Sequence, residues 1–232
     1  MAGSQQSTRF PGESTDYRRA RNRLLQAENR LRRQIETVAE QRRKLPLGGQ
    51  VKTDYVFDAS APAETDFTSI RLSELFAPGK RTLFLYNFMY PESTDSNSPC
   101  PLCTSIIDAI DGSARHLTQR VNFAVIAKAP IAAFHMHARN RGWRNVRLLS
   151  SAKNTFNRDY GAEDEDGQQS ALAHVFVRRG KKIHHSWSSE LWFAQSESGQ
   201  DPRHVDFMWP MWSMLDRTPE GRGKNWGPRL EY

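Results

Sequence analysis

Cysteine is scarce in this sequence, which has two cysteines in 232 residues and no long hydrophobic run. The first residues, MAGSQQSTRFPGES, lack the apolar stretch of a secretory signal, so we expect a cytoplasmic protein without a membrane span. A framework of structural disulfides is not expected in that reducing setting. Cys100 and Cys103 are separated by two residues, a spacing that indicates redox chemistry or metal binding.

Acidic residues are fewer than basic residues, so the formal net charge is +7. Many of the arginines lie in the first fifth of the chain. Apolar residues recur there at helical spacing and predict a long amphipathic helix from Thr15 to Lys44, capped by Ser14 and ended by Pro46. We expect its arginine face to be solvated. Docking to another protein or a homodimer is the alternative, and nucleic-acid binding is not expected because no recognition motif accompanies the arginines.

The two cysteines lie between a predicted strand and a predicted helix. The run from Arg81 to Tyr90 is aromatic and aliphatic, as in a buried strand. Pro101 suits a first helical position, and isoleucines then recur on one face of the helix that follows. A second buried strand is predicted from Val121 to Ala127, so a βαβ unit with parallel strands is centred on the cysteines.

The rest of the chain predicts a hairpin and an aromatic tail. Residues 174–177 and 183–187 read as its two strands, and an aromatic and methionine-rich segment from Phe207 to Leu215 follows. The pattern predicts an α/β, thioredoxin-like mixed sheet flanked by helices, with a long N-terminal amphipathic helix and an aromatic C-terminal extension. We divide the chain into a disordered N-terminus (1–13), the helix (14–47) and a thioredoxin-like domain with its C-terminal extension (48–232).

The chain from about Tyr17 to Arg222 carries a family resemblance, which rests on ten segments that follow one another in order. They are RNRLLQAENRLRRQIETVAEQRRKLP, DYVF, LSELF, LYNFMYP, CPLC, AKAP, RNRGW, SSAKNTFNRDYG, HVFVRRG and MLDRTPEGR. With these segments the chain resembles the thioredoxin-like domain-of-unknown-function family 899, described as predicted dithiol-disulfide oxidoreductases. The resemblance implies the fold and a redox role, and it does not supply a substrate.

This sequence departs from the family pattern at two places. Where the family has His-Phe-Met, this chain has Asn87, Phe88 and Met89. The approach to the hairpin strand, which is small or contains glycine in the family, reads Ala173-His174. A metal or proton-transfer role tied to the first of these positions is therefore not implied for this chain.

The first interpretation of the cysteines is dithiol-disulfide exchange with a protein or a small-molecule thiol or disulfide. A helix N-terminus stabilises a thiolate and lowers the pKa of a thiol placed there. Cys100 would attack a disulfide, and Cys103 would resolve the mixed disulfide that results. No cofactor is required for this reaction.

Three alternatives remain open at this point. Tyr90, Pro91, Thr94 and Cys100 loosely match the loop in which peroxiredoxins hold a peroxide, so a peroxiredoxin-like peroxidase is one alternative. A copper-binding protein is the second, with Cys100 and Cys103 as soft ligands and His174, which we expect near the sulfurs, as the third ligand. The last is a partner-binding protein without catalysis, which buried and inert cysteines would favour.

Overall fold

The computed structural model describes residues 9–63, 65–91, 96, 98–200, 210–215, 218, 227 and 230, with the side chains of 211–213 left out. The chain forms two compact units, Met1–Pro46 and Leu47–Tyr232. The helices are α1 (Thr15–Arg43), α2 (Pro101–Leu117), α3 (Ile131–Asn140), α4 (Phe156–Asp159) and α5 (Pro210–Leu215). The strands are β1 (Val56–Ser60), β2 (Thr68–Arg71), β3 (Thr82–Phe88), β4 (Asn122–Ala127), β5 (Leu148–Ser150), β6 (Leu172–Arg179) and β7 (Lys182–Ser188). Two short 3₁₀ helices cover Leu72–Leu75 and Glu190–Trp192.

Helix α1 begins where the sequence predicts it, because Ser14 is its N-cap. The Ser14 side-chain oxygen accepts a hydrogen bond from the backbone N–H of Tyr17 at 3.1 Å, which satisfies a donor that the helix itself cannot pair. Arg18 in the first turn forms a bidentate ion pair with Glu13, immediately before the cap. The helix ends at Arg43, one residue before the predicted end.

The second unit contains a seven-stranded mixed sheet with the order β2-β1-β5-β4-β3-β6-β7. Strands β3 and β4 are parallel and are joined by α2, so the predicted βαβ unit is confirmed. Strands β6 and β7 form the predicted antiparallel hairpin beside β3. A parallel pair followed by an antiparallel hairpin, with the Cys-x-x-Cys helix after β3, is the thioredoxin-like arrangement that the sequence pattern predicts.

Each face of the sheet has its own hydrophobic core. Because side chains alternate along a strand, neighbouring residues of β3 belong to different cores. Tyr86 and Phe88 lie in the core that contains both cysteines, whereas Leu83 and Leu85 lie in the core on the opposite face. We call these the cysteine face and the opposite face of the sheet.

A β-bulge in the hairpin redirects one aromatic side chain. The pairing of β6 with β7 shifts between Val175 and Phe176, so that Val175 pairs with Trp187 and Phe176 pairs with His185. Without the shift, Trp187 would follow His185 on the opposite face. With it, Trp187 packs against the core of the cysteine face.

The aromatic C-terminal extension is only partly within the described residues. Phe207 and Trp209 lie outside them, as do the side chains of Met211 and Trp212. Leu215 at the end of α5 packs against the core of the cysteine face. In the described part of the chain, none of the helices has both the length and the apolar character needed to cross a membrane.

Candidate functional site

The two cysteines lie at the start of α2, as the sequence predicts. Cys100 is the N-cap residue, and its backbone N–H donates to the Met89 carbonyl at 3.1 Å, which ties the start of the helix to the end of the β3 segment. Pro101 occupies the first helical position, where its missing N–H leaves no bond unmade. The Cys100 sulfur accepts the backbone N–H of Cys103 at 3.4 Å, so it replaces the oxygen of an ordinary N-cap.

The electrostatic environment distinguishes the two sulfurs. A hydrogen bond with Cys100 raises the pKa of the Cys103 thiol well above its ordinary value, and burial and the charge of Cys100 add to this effect. A hydrogen bond with Tyr86 lowers the same pKa and opposes them. Cys103 therefore keeps its proton at neutral pH and donates it towards the Cys100 sulfur.

Neither cysteine is part of a disulfide, and both are buried, with 4% of Cys100 and 2% of Cys103 exposed. The side chain between them in the motif, Leu102, is 42% exposed. Gly227 lies beside it, because a Cβ at that glycine would be 3.2 Å from Leu102 Cδ2. Of Cys100, Leu102 and Cys103, Leu102 is therefore the residue that solvent reaches most.

His137 contacts the motif indirectly, through Thr104, and the sequence analysis did not find this contact. Its Nε2 is 3.5 Å from Thr104 Oγ1, and that hydroxyl donates to the Cys100 carbonyl at 2.9 Å. Burial and the nearby Arg141 lower the pKa of His137 to about 4, so the ring is neutral at pH 7. His135, two residues earlier, points elsewhere and shares a hydrogen bond of 2.7 Å with Ser60.

His174 does not lie near the sulfurs, which corrects our expectation for it. It pairs with Leu85 in the ladder, and it follows Ala173, which belongs to the cysteine core. Because adjacent strand residues point to opposite faces, Ala173 takes the position beside the motif and His174 is on the other side of the sheet. There its Nδ1 is 3.2 Å from His185 Nε2.

The three proposed copper ligands, Cys100, Cys103 and His174, are therefore not assembled into one site. Within the described ranges, no group of three His, Cys, Asp or Glu side chains is arranged to hold a metal ion. Asn87, which replaces the family histidine, is buried, and its amide donates to Asn157 Oδ1 at 3.2 Å. Among the described residues, those at the sulfurs are thus Tyr86 and the backbone of the motif, with no third metal-binding side chain.

Of the residues that suggested a peroxide-binding loop, Tyr90 and Pro91 are described and Thr94 lies outside the described residues. The Tyr90 ring contacts Phe134 and His137, at centroid distances of 6.4 and 5.7 Å. Its backbone N–H donates to Gln169 Oε1 at 3.3 Å. Tyr90 therefore lies in the aromatic wall on the cysteine face.

The fold and the site together define a thioredoxin-like α/β protein with a reduced Cys-x-x-Cys motif at a helix N-terminus. The chain belongs to the family of bacterial proteins of unknown function DUF899, whose model matches residues 7–232. This match confirms the family that the sequence resembles. No curated protein sequence matches the chain.

Among solved structures, the chain is similar to AhpC of Enterococcus faecalis, with a TM-score of 0.47 and 15% identity over 78% of this chain and 98% of the other. It is also similar to the reduced 2-Cys peroxiredoxin of Plasmodium vivax, with a TM-score of 0.47 and 16% identity over 69% and 94% of the two chains. The chain is similar as well to AhpC of Mycobacterium tuberculosis, with a TM-score of 0.45 and 16% identity over 74% of this chain and 98% of the other.

Proposed function

We propose that this protein is a thiol-disulfide oxidoreductase in which Cys100 is the attacking thiol and Cys103 the resolving thiol. The observation that carries the proposal is the arrangement at the start of α2. Two thiols that form no disulfide lie within one helical turn, and both the backbone N–H and the thiol of Cys103 are directed at the Cys100 sulfur. Two donors and the positive end of the helix dipole stabilise negative charge on that sulfur.

In the first step the Cys100 thiolate attacks one sulfur of a substrate disulfide. A bond forms between Cys100 and that sulfur, the substrate S–S bond breaks, and the other substrate sulfur leaves as a thiolate that takes up a proton from water. Cys103 keeps its own proton during this step, since its pKa is raised. The product is a mixed disulfide between Cys100 and the substrate.

In the second step Cys103 loses its proton and attacks the Cys100 sulfur. The mixed disulfide breaks, the second substrate sulfur leaves as a thiolate, and a Cys100–Cys103 disulfide forms. The two electrons that reduce the substrate have then come from the two cysteines, and an external dithiol must return them. Tyr86 assists this step, because its hydrogen bond lowers the pKa of Cys103.

A partner-binding protein without catalysis is the second candidate function, and the burial of both sulfurs favours it. With 4% and 2% exposure, neither thiol meets a substrate unless a covering side chain moves. Leu102, between them in the motif, is exposed at this surface. In this second function the same surface binds a partner and the thiols remain reduced.

We also propose a second copy of this chain as the partner of α1. Tyr17, Leu24, Leu31 and Val38 recur every seven residues, which is the repeat of a two-stranded coiled coil. Tyr17, Leu24 and Leu31 are 54%, 53% and 61% exposed. Ala20 and Ala27 occupy the other core position of the first heptads, where small side chains permit close approach of two helices.

The experiment for the redox proposal measures the mass and the free thiols of the full chain in thiol-disulfide buffers of graded potential. The wild type should lose two hydrogens reversibly at a potential in the range of thioredoxin-like proteins. Cys103→Ser should instead trap a mixed disulfide on Cys100, and Cys100→Ser should react with neither the buffer nor a substrate disulfide. Free thiols throughout, in a folded chain, would support the non-catalytic function, and oxidation by peroxide but not by disulfides would support the peroxidase.

A further inference from the structure

A cavity of about 480 Å³ lies on the opposite face of the sheet from the cysteines. Its lining belongs to the loop before β1, to the end of α4 and to β7. The lining residues are Gly49, Gln50, Tyr55, Asp159, Tyr160 and His185. The volume is in the range of sites that hold small organic molecules.

Three aromatic rings form walls of this cavity that are not parallel to one another. The rings of Tyr55 and Tyr160 have centroids 6.1 Å apart and an angle of 69° between their planes. The ring of His185 lies 5.4 Å from that of Tyr160, at 49°. Burial raises the pKa of Tyr160 to about 12, so its hydroxyl remains neutral. The walls are thus uncharged, electron-rich rings at steep angles, as in an aromatic cage.

Asp159 supplies the negative charge of the cavity. Its Oδ2 accepts hydrogen bonds from the Tyr55 hydroxyl and from Thr155 Oγ1, both at 2.6 Å. These two bonds lower the pKa of the carboxyl, which is therefore ionised at pH 7. Both bonds are made by the same oxygen, so they fix the orientation of the carboxylate. The neighbouring Arg158 directs its guanidinium towards Glu163, at 3.3 Å.

The two histidines beside the cavity are both neutral at pH 7. Burial lowers the pKa of His174 to about 3 and also lowers that of His185, although Glu190 partly opposes the shift at His185. The described residues provide no hydrogen-bond partner for the buried Nε2 of His174. A buried acceptor without a partner costs less than a buried donor, so the proton of His174 is placed on Nδ1 and points to His185 Nε2. Asp159 is then the charged side chain of the lining.

We propose that this cavity binds a small organic cation, such as a quaternary ammonium group. Neutral aromatic walls attract a cation through their ring electrons, and the Asp159 carboxylate adds a direct charge. The lining does not suit an inorganic cation, because Mg²⁺ and Ca²⁺ require a shell of several oxygen ligands. An anion would meet the carboxylate. The site lies on the other face of the sheet from Cys100 and Cys103 and does not depend on the redox function.

The experiment compares choline with 3,3-dimethylbutan-1-ol, its uncharged isostere, by calorimetry and by ligand-observed NMR on the full chain. Choline should bind about tenfold more tightly than the isostere, since the two differ in charge and hardly in shape. Asp159→Asn and Tyr160→Leu should each remove most of this preference. Glu165→Gln removes an exposed carboxylate outside the cavity lining and should leave the preference for choline unchanged. Replacement of both cysteines by serine should also leave it unchanged.

Equal binding of choline and the isostere would overturn the proposal, because the cavity would then select shape rather than charge. Absence of choline binding in the millimolar range would overturn it as well. If Tyr160→Leu does not fold, as judged by circular dichroism, Asp159→Asn alone decides, since that substitution is nearly isosteric. Loss of the choline preference in the Cys100 and Cys103 serine variant would contradict the independence of the two sites.

Discussion

Replacing Cys103 with alanine removes one of the two donors that are directed at the Cys100 sulfur. The backbone N–H of residue 103 remains, at 3.4 Å from the sulfur, whereas the thiol that donates to Cys100 is lost. Cys103→Ser keeps a side-chain donor of nearly the same size at the same position. The two variants therefore differ in one hydrogen bond to the reactive sulfur, and each retains a single cysteine.

The size of the effect follows from the charge on the acceptor. A hydrogen bond to a charged group contributes about 1.5–3 kcal/mol, and sulfur is a weak acceptor, so we take the lower end of this range. About 1.4 kcal/mol corresponds to a factor of ten in an equilibrium constant. The acid dissociation constant of the Cys100 thiol in Cys103→Ala should therefore be about tenfold smaller than in Cys103→Ser.

Alkylation by iodoacetamide measures the thiolate fraction of Cys100, because only the thiolate reacts. The second-order rate of each variant is followed by intact mass across a pH series, and the rate in denaturant serves as the reference for an exposed thiol. At a pH below the pKa of Cys100 in both variants, Cys103→Ala should react about tenfold more slowly than Cys103→Ser, and the two variants should react equally fast in denaturant. Equal rates of the two folded variants would refute the view that Cys103 holds Cys100 as a thiolate.

Three further predictions concern residues around the motif, in the opposite core and in α1. Tyr86→Phe removes the hydrogen bond that lowers the pKa of Cys103, so disulfide closure at pH 7 should slow several-fold in stopped-flow measurements while the fold persists. The pKa of His174 is about 3 when folded and near 6.5 when unfolded, so stability should be complete above pH 6.5 and fall by up to about 1.4 kcal/mol per pH unit as the pH drops towards 3. In chemical denaturation His174→Leu should flatten that dependence. Deleting residues 1–45 should convert a dimer into a monomer in solution, and a truncated chain that remains dimeric would exclude α1 as the dimer contact.

Helices and the location of the motif could be predicted from sequence because local rules determine them. Ser14 and Pro101 mark helix starts through capping and the geometry of proline, and both act within one turn. Apolar periodicity extends these starts into α1 and α2. The parallel βαβ unit follows because two buried strands flank a helix of sufficient length.

Register and face could not be predicted, because they depend on long-range pairing. A one-residue shift in strand pairing decides whether Ala173 or His174 is beside the sulfurs. The apolar pattern of the strand is compatible with both registers. The bulge that turns Trp187 to the cysteine face likewise has no local signal in the sequence. Strand β2 is missed for another reason, since its four residues are too few for a periodic pattern.

Tyr86 and His137 are the site residues that the sequence analysis did not find. In the sequence, Tyr86 has no feature that separates it from the other aromatic residues of a buried strand. Its role follows only from its contact with Cys103 in the core. His137 reaches the motif through Thr104, at a sequence distance of 33 residues that no local pattern connects.

The most direct test of the redox account is the mass of the folded wild-type chain after equilibration in a thiol-disulfide buffer at a potential in the range of thioredoxin-like proteins. The account predicts a loss of two hydrogens through a bond between Cys100 and Cys103, and full reversal by an added dithiol. It would be contradicted by a folded chain that keeps both thiols free at every potential of the series.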